Sequence, residues 1–198
     1  MESSNIAAAN RSLLFGEATS TLPACGLEML CPLLKAYLHP GSEVLHVGCG
    51  QGHATADMAN CVYPYPGSVV GVDHDEEKIN QARKLWWESA HNLTFQVSAL
   101  TRLDFPDRRF DAVLSLNLAL ADWETALTEW KRVTRPGGWV IATFEDVDAM
   151  VHHPPCPHFK QVYIAGQGRS LGELQMGRRA GMLFSRLGLE DVRVDLFA

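Results

Sequence analysis

The segment VLHVGCGQGHAT, at residues 44–55, constrains the fold of this chain more than any other stretch of its sequence. An apolar run enters a turn in which Gly48, Gly50 and Gly52 alternate with other residues, and a helical pattern follows. Glycines in such a turn permit unusual backbone conformations and let the backbone approach a ligand closely. The segment therefore predicts a strand, a ligand-binding turn and a helix, which together open a parallel α/β sheet.

Strand and helix patterns alternate along the rest of the chain. Continuous apolar runs predict strands at residues 43–47, 68–72, 93–97, 112–116, 139–144 and 189–197. Helical spacing predicts helices at 28–38, 75–89 and 122–134, and another from the SLGE capping box at Ser170 to Gly188. In the helix at 75–89, Trp86 is expected to face the core and Trp87 the surface. Because the strands are apolar on both sides, we expect a doubly wound, mostly parallel, Rossmann-like sheet with helices on both faces.

No repeat or linker divides the 198 residues, so we expect a single domain. Residues 1–38 are expected to form a helical lead-in to the sheet. Residues 151–168, VHHPPCPHFKQVYIAGQG, interrupt the alternation of strands and helices with a long segment rich in His and Pro. Long loops beyond strand ends tend to be functional in open α/β sheets, so this loop is expected to lie over the site.

The composition disfavours several classes of protein. A net charge of −6 disfavours a nucleic-acid binder and suits a protein that acts on small molecules. The five cysteines form no CxxC pair and are expected to be reduced thiols. The N-terminus lacks a secretory-signal pattern, and no apolar run has the length of a membrane span. We therefore expect a soluble cytoplasmic protein that takes a small-molecule substrate and binds neither nucleic acid nor membranes.

The spacing of the glycine turn narrows the choice of ligand. A GxGxxG fingerprint would require glycine at position 53, where the chain has His53, and no GK[ST] sequence follows as in a P-loop. Asp73 ends the second predicted strand about 20 residues beyond the turn, where a carboxylate can accept hydrogen bonds from ribose hydroxyls. Asp73 could instead cap the following helix, although Asp75 is equally well placed. The combination favours a nucleoside-binding half-sheet.

The chain resembles the class I S-adenosylmethionine-dependent methyltransferases, in particular the small-molecule group that includes the ubiquinone/menaquinone-pathway enzymes. The matching segments are VLHVGCGQGHAT, GVDHDEEKI, LDFPDRRFDAVLSLNLAL, EWKRVTRPGGWVIATFED and, more weakly, GRRAGMLFSRLGLEDVRVDLFA. The resemblance extends from about residue 38 to the C-terminus, and the order and spacing of its motifs make it specific for the fold.

The resemblance implies that S-adenosyl-L-methionine lies across the C-terminal edge of the sheet. The glycine turn would wrap the methionine part, Asp73 would take the ribose, His74 would lie near the adenine and Asn117 beside the sulfonium. The cofactor-binding residues predicted in this way are His46, Gly48, Cys49, Gly50, Gly52, Asp73, His74, Ala99, Leu100 and Asn117.

The sequence departs from the family pattern at three places. His46 stands where the family usually has Asp or Glu, and Ala99 replaces an acid that commonly accepts from the adenine amine. Each lost hydrogen bond would cost about 1 kcal/mol. The chain also stops at VRVDLFA, without the antiparallel strand that usually completes the sheet. A truncated sequence, a partner chain that completes the sheet edge as in a homodimer, or loss of that strand would each account for this.

The chemistry implied is an in-line displacement from an activated donor, in which alignment and desolvation supply much of the rate. An acceptor with a tightly held proton also needs a general base, and His152 and His153 are predicted for this role. The neighbouring sequence holds further candidates: Glu145, Asp146, Asp148 and His158. The alternative is a solvated loop with no role in chemistry. The His and Cys residues of the loop fit no established metal-site spacing, so no metal is expected.

The function predicted from these features is S-adenosylmethionine-dependent methyl transfer to a small organic metabolite. Two alternatives remain: a protein of the same fold that cyclises or rearranges a small molecule, and a non-catalytic partner of another methyltransferase. The substitutions at His46 and Ala99 favour the alternatives. The intact glycines and Asp73 favour methyl transfer, because an abandoned pocket has no need of them.

Overall fold

The computed structural model of the protein describes residues 5–11, 34–63, 66–87, 92–116, 118, 120–145 and 176–197. The strands in this part of the chain are β1 (Asn5–Arg11), β2 (Glu43–Val47), β3 (Ser68–Asp73), β4 (Leu93–Val97), β5 (Phe110–Leu116), β6 (Thr134–Glu145) and β7 (Glu190–Phe197). They form one sheet in the order β4–β3–β2–β5–β6–β1–β7. The helices are α1 (His53–Val62), α2 (Glu76–Leu85), α3 (Trp123–Val133) and α4 (Met176–Arg186). None of the described helices is long and apolar enough to cross a membrane.

The doubly wound, parallel sheet predicted from the sequence is confirmed. The strand pairs recorded for the described residues are all parallel. β2 and β4 have the predicted bounds, and β3, β5 and β7 differ from them by one or two residues. β6 begins earlier than predicted, because Phe110 pairs with Thr134 and Ala112 with Trp139, so the register shifts across the intervening RPGG residues.

β1 requires a correction to the predicted helical lead-in. Residues Asn5–Arg11 are extended and lie between β6 and β7, parallel to both. Their sequence, NIAAANR, is rich in alanine, which favours helices over strands, so the strand arises from its pairing partners. β1 occupies the place between the fifth and sixth predicted strands. Residues 34–37 are helical and residue 38 is not, while residues 1–4 and 12–33 of the lead-in lie outside the described residues.

The core has two main layers, one on each face of the sheet. On one face, Met58 and Val62 of α1 pack against Val44 and Leu114. On the other, the α3 and α4 side chains Leu127, Trp130, Val133, Ala180 and Phe184 pack against Leu45, Val113 and Val140. Because parallel strands end at the same edge, the segments that follow β2, β3, β4 and β5 meet at one edge of the sheet, which is where ligands bind in open α/β folds.

The outermost strand on one side of the sheet, β4, is partly covered by α2. Arg83 of α2 donates from Nε to the backbone carbonyl of Phe95 at 3.0 Å. Thr94 and Val97 are exposed on the same strand. A backbone acceptor of this edge strand is thus satisfied by a side chain of the same domain.

The connection between β4 and β5 is held in place by Arg132 of α3. Its guanidinium donates to the carbonyls of Leu103 at 3.0 Å and Phe105 at 2.8 Å, and pairs with Glu129 at 2.7 Å. Glu129 in turn accepts from the backbone N–H of Leu103 at 2.8 Å. These bonds hold the pKa of the Glu129 carboxyl below its ordinary value, with the hydrogen bond from Arg132 as the main cause.

Replacing Arg132 by leucine is expected to lower the free energy of unfolding by about 2 kcal/mol, because two carbonyls and Glu129 lose their partner together. Urea denaturation of both proteins measures the difference. The matched control is Arg186→Leu, since Arg186 pairs with Glu124 at an exposed site and should contribute less than about 0.5 kcal/mol. Equal losses in the two variants would contradict this role for Arg132.

Candidate functional site

The glycine loop between β2 and α1 is a tightly bonded turn. Gly48, Gly50 and Gly52 have φ angles of +75°, +54° and +83°, which lie in the left-handed region that other residues rarely adopt. The N–H groups of Gly48 and Cys49 donate to the carbonyl of Val72 at 2.8 and 3.0 Å. The Gly50 N–H donates to Asp73 Oδ2 at 2.9 Å. The loop is therefore anchored to the end of β3.

The three glycines differ in what surrounds them. A Cβ atom at Gly48 would lie 2.6 Å from Leu118, and one at Gly52 would lie 2.4 Å from the ring of Phe95. A Cβ atom at Gly50 would meet no atom of the described residues within 4 Å, although Gly50 itself is buried. Gly48 and Gly52 are thus required by packing, whereas Gly50 borders an open space inside the site.

Asp73 is buried at the end of β3, and both of its oxygens are engaged. In addition to the bond from Gly50, its Oδ1 accepts from the backbone N–H of Asp75 at 3.0 Å and lies 3.3 Å from Nδ1 of the exposed His74. Asp75, and not Asp73, caps α2 by accepting from Glu77 and Lys78. A carboxylate can accept about four hydrogen bonds, so Asp73 keeps capacity for a hydroxyl of a ligand.

His46 lies in β2 directly before the glycine loop and is buried. Its Nδ1 is 2.8 Å from Thr55 Oγ1 of α1, and its Nε2 has no partner among the described residues. Burial lowers the pKa of His46 to about 4, against a smaller opposing effect of Asp73. The imidazole is therefore neutral at physiological pH, and it does not repel a cationic group.

Cys49, inside the turn, packs as an apolar residue. Its side chain is buried with Ile79, Ala82 and Phe95 beneath the loop. Burial, and then the charge of Asp73, raise the pKa of its thiol far above the ordinary value, so it stays protonated. Cys49 is thus a packing residue of the turn and not a nucleophile.

The other predicted site residues are only partly covered by the structure. Ala99 is exposed after β4 and forms an isolated bridge with Arg102, while Leu100 is buried and its carbonyl accepts from Trp130 Nε1 at 3.1 Å. The remaining predicted site residues, Asn117, His152 and His153, lie outside the described part of the chain, as do Asp146, Asp148 and His158. Glu145 ends β6. Within the described residues, no group of three or more side chains is arranged to hold a metal ion.

Two features of the site were not predicted from the sequence. Ser115, near the end of β5, is fully buried with no partner for its Oγ among the described residues. Trp86 packs against the cluster of Cys49, Ile79, Ala82 and Phe95, as expected of a core-facing residue, and it also donates from Nε1 to the carbonyl of Gln51 in the glycine loop, at 2.9 Å. Its position on the apolar side of a helical pattern was visible in the sequence, but its hydrogen bond was not.

The N-terminus of α1 faces the same loop and has no side-chain cap. Gly52 stands at its N-cap position, and its first turn contains no acidic residue. The free N–H groups and partial positive charge of such a helix end favour an anion. The loop, Asp73 and this helix end form a site with acceptor and donor groups next to an open space.

A family model described as a methyltransferase domain matches residues 44–138, which span β2 to the start of β6. This part of the chain, just under half of its length, is similar to a methyltransferase domain. It is 32% identical over 127 residues to an uncharacterized methyltransferase of Schizosaccharomyces pombe, covering 60% of this chain and 45% of that protein. It is also 32% identical to the demethylmenaquinone methyltransferase of Lactococcus lactis, covering 62% of this chain and 47% of that enzyme. The chain thus spans less than half the length of these two relatives.

A solved structure extends the likeness over most of the fold. The crystal structure of a SAM-dependent methyltransferase from Aquifex aeolicus superposes with a TM-score of 0.63 and 20% identity. The match covers 82% of this chain and 78% of the other. At this identity the likeness supports the Rossmann-like methyltransferase fold, and it says nothing of the substrate.

Proposed function

We propose that the protein is an S-adenosylmethionine-dependent methyltransferase that acts on a small organic molecule. The observation that carries the proposal is the open space beside Gly50, which belongs to a glycine loop that is bonded to the acid at the end of β3. Named methyltransferases among the relatives, including one that acts on demethylmenaquinone, support the same reaction class.

The residues present fit S-adenosyl-L-methionine. Gly50 leaves room for a ligand against the backbone, and the uncapped start of α1 suits a carboxylate. His46 is neutral, and when its Nδ1 carries the proton and donates to Thr55, its Nε2 is an acceptor at the position where the family usually has a carboxylate. Asp73 retains capacity for a ribose hydroxyl. His74, Ala99 and Leu100 would lie on the adenine side, and Asn117 near the sulfonium.

The bound group would supply a methyl on a positively charged sulfur, which is already activated for transfer. The protein then has to hold the donor rigidly, exclude water and align an acceptor. The bonded glycine loop and the buried Asp73 serve the first task. His152 and His153 remain our proposal for a general base when the acceptor carries a tightly held proton.

Methyl transfer is favoured over the alternatives. Cyclisation without a methyl donor, or a purely non-catalytic role, would not require an unobstructed Gly50 next to an engaged Asp73. We further propose a cytoplasmic protein with no nucleic-acid partner, and a homodimer formed through the sheet edge at β7, the outermost strand on the side away from β4.

The test is calorimetric titration with S-adenosylmethionine and with S-adenosylhomocysteine. We expect dissociation constants in the micromolar range, about −8 kcal/mol, because a preorganised loop needs little reordering on binding. A screen of small-molecule acceptors with a radiolabelled methyl donor would follow. Absence of binding at millimolar concentration, in a protein shown to be folded by circular dichroism, would contradict the proposed function.

A further inference from the structure

The end of α2 is bonded to the glycine loop by a tryptophan. Trp86 follows the last residue of α2, and its indole N–H donates to the carbonyl of Gln51 at 2.9 Å. The same ring lies edge-on to the imidazole of His53, with centroids 5.5 Å apart. A Cβ atom at Gly52 would be 3.1 Å from Trp86 Cδ1. Trp86 therefore touches three consecutive residues at the junction of the loop and α1.

A second bond joins the same two elements. The side-chain amide of Gln51 donates to Oε1 of Gln81 on α2 at 2.7 Å. Beneath the loop, Cys49 is buried with Ile79 and Ala82 of α2. The loop is therefore attached to α2 by a backbone bond, a side-chain bond and apolar packing.

The peptide between Gln51 and Gly52 is bonded at both ends. Its carbonyl accepts from Trp86, and its N–H donates to the carbonyl of Cys49 at 3.0 Å. A peptide that precedes a glycine can rotate at little cost, because glycine accepts both signs of φ. Two bonds on opposite sides of this peptide oppose that rotation. They also fix the orientation of Gly50, whose own N–H is held by Asp73 on the other side.

We infer that Trp86 is a positioning residue, which holds the glycine loop in the conformation that binds the ligand. The inference deepens the proposed function and rests on it only for the identity of the ligand. Trp86 acts through Gln51 and Gly52, without touching the open space beside Gly50. Its loss leaves the site present but mobile, so part of the binding free energy must be spent on ordering the loop.

The chain offers a matched control in the next residue. Trp86→Phe removes the N–H donor and keeps an aromatic ring, whereas Trp87→Phe makes the same change in a side chain that is 82% exposed. Two readouts are compared with wild type: hydrogen–deuterium exchange of the peptide that covers residues 44–55, without ligand, and calorimetric affinity for S-adenosylhomocysteine. Circular dichroism verifies folding, and Gln81→Ala tests the second bond if Trp86→Phe does not fold.

We expect Trp86→Phe to speed exchange of the loop peptide and to weaken affinity, each about fivefold, as loss of one hydrogen bond predicts. Trp87→Phe should stay within about twofold of wild type, and Gln81→Ala should change both readouts in the direction of Trp86→Phe. Loop exchange in Trp86→Phe equal to that in Trp87→Phe would overturn the inference. If wild type binds no ligand while the exchange difference is present, the positioning role stands and the proposed function fails.

Discussion

Replacing Gly50 by alanine is expected to weaken binding of S-adenosylmethionine at least tenfold. The added methyl group would occupy the space that is open beside Gly50, where a Cβ atom lies within 4 Å of no atom in the part of the chain that the structure describes. A clash with a ligand pressed against this backbone costs more than about 1.4 kcal/mol, which is a factor of ten in affinity. The φ of +54° also places alanine in the left-handed region, at a cost of about 1–2 kcal/mol in stability.

The stability cost has to be separated from the loss of binding. Gly137→Ala provides the control, because Gly137 also has a positive φ, +79°, and is exposed. It lies near the start of β6, whereas the glycine loop follows the end of β2. We expect a similar loss of stability in both variants by urea denaturation, and loss of affinity in Gly50→Ala alone by calorimetry. Wild-type affinity in Gly50→Ala would show that the ligand lies elsewhere.

The second large effect concerns pH and His46. In the folded chain the pKa of His46 is lowered to about 4, whereas an unfolded histidine titrates near about 6.5. On acidification the unfolded state takes up the proton first, so the folded state loses relative stability as the pH falls from about 6.5 to about 4. This difference between the pKa of His46 in the folded and unfolded chain lowers the free energy of unfolding by about 3 kcal/mol over that interval. His46 makes no further contribution at lower pH.

His46→Asn tests this contribution. Asparagine retains a group that can bond to Thr55 but does not titrate, so the variant should lose most of this pH dependence between about pH 6.5 and 4. Urea denaturation at several pH values measures the free energy of unfolding, and its slope against pH is compared between wild type and the variant. Identical slopes in wild type and His46→Asn would show that His46 contributes nothing to acid sensitivity.

The parallel sheet and its helices were predictable because their signals are local. The apolar runs at β2 to β5 and the helical spacing around Trp130 depend only on neighbours in sequence. The glycine loop was predictable for the same reason, since the alternating glycines stand between a strand and a helix. The order of these local units then determines which strand ends meet at one edge.

What was not predictable depends on partners distant in sequence. β1 has a helix-favouring composition and becomes a strand only between β6 and β7. The neutral state of His46 follows from its burial behind α1, and the bond from Trp86 to Gln51 joins residues 35 positions apart. Asp73 was predicted as a ligand-binding acid, and only the structure shows that it also anchors the loop through Gly50. Such roles depend on tertiary distances, which sequence patterns do not contain.

The bond from Arg83 to Phe95 has a consequence for behaviour at high concentration. An outermost strand with free backbone groups is a template on which a second molecule can add a strand, the first step of edge-to-edge aggregation. In β4, the Phe95 carbonyl is already occupied by a guanidinium, which also places a positive charge along that border. A second chain adding there would have to displace Arg83 and bring its own backbone against a cation. Self-association through β4 is thereby disfavoured, so α2 protects the border of the sheet from uncontrolled polymerisation as well as supporting the glycine loop.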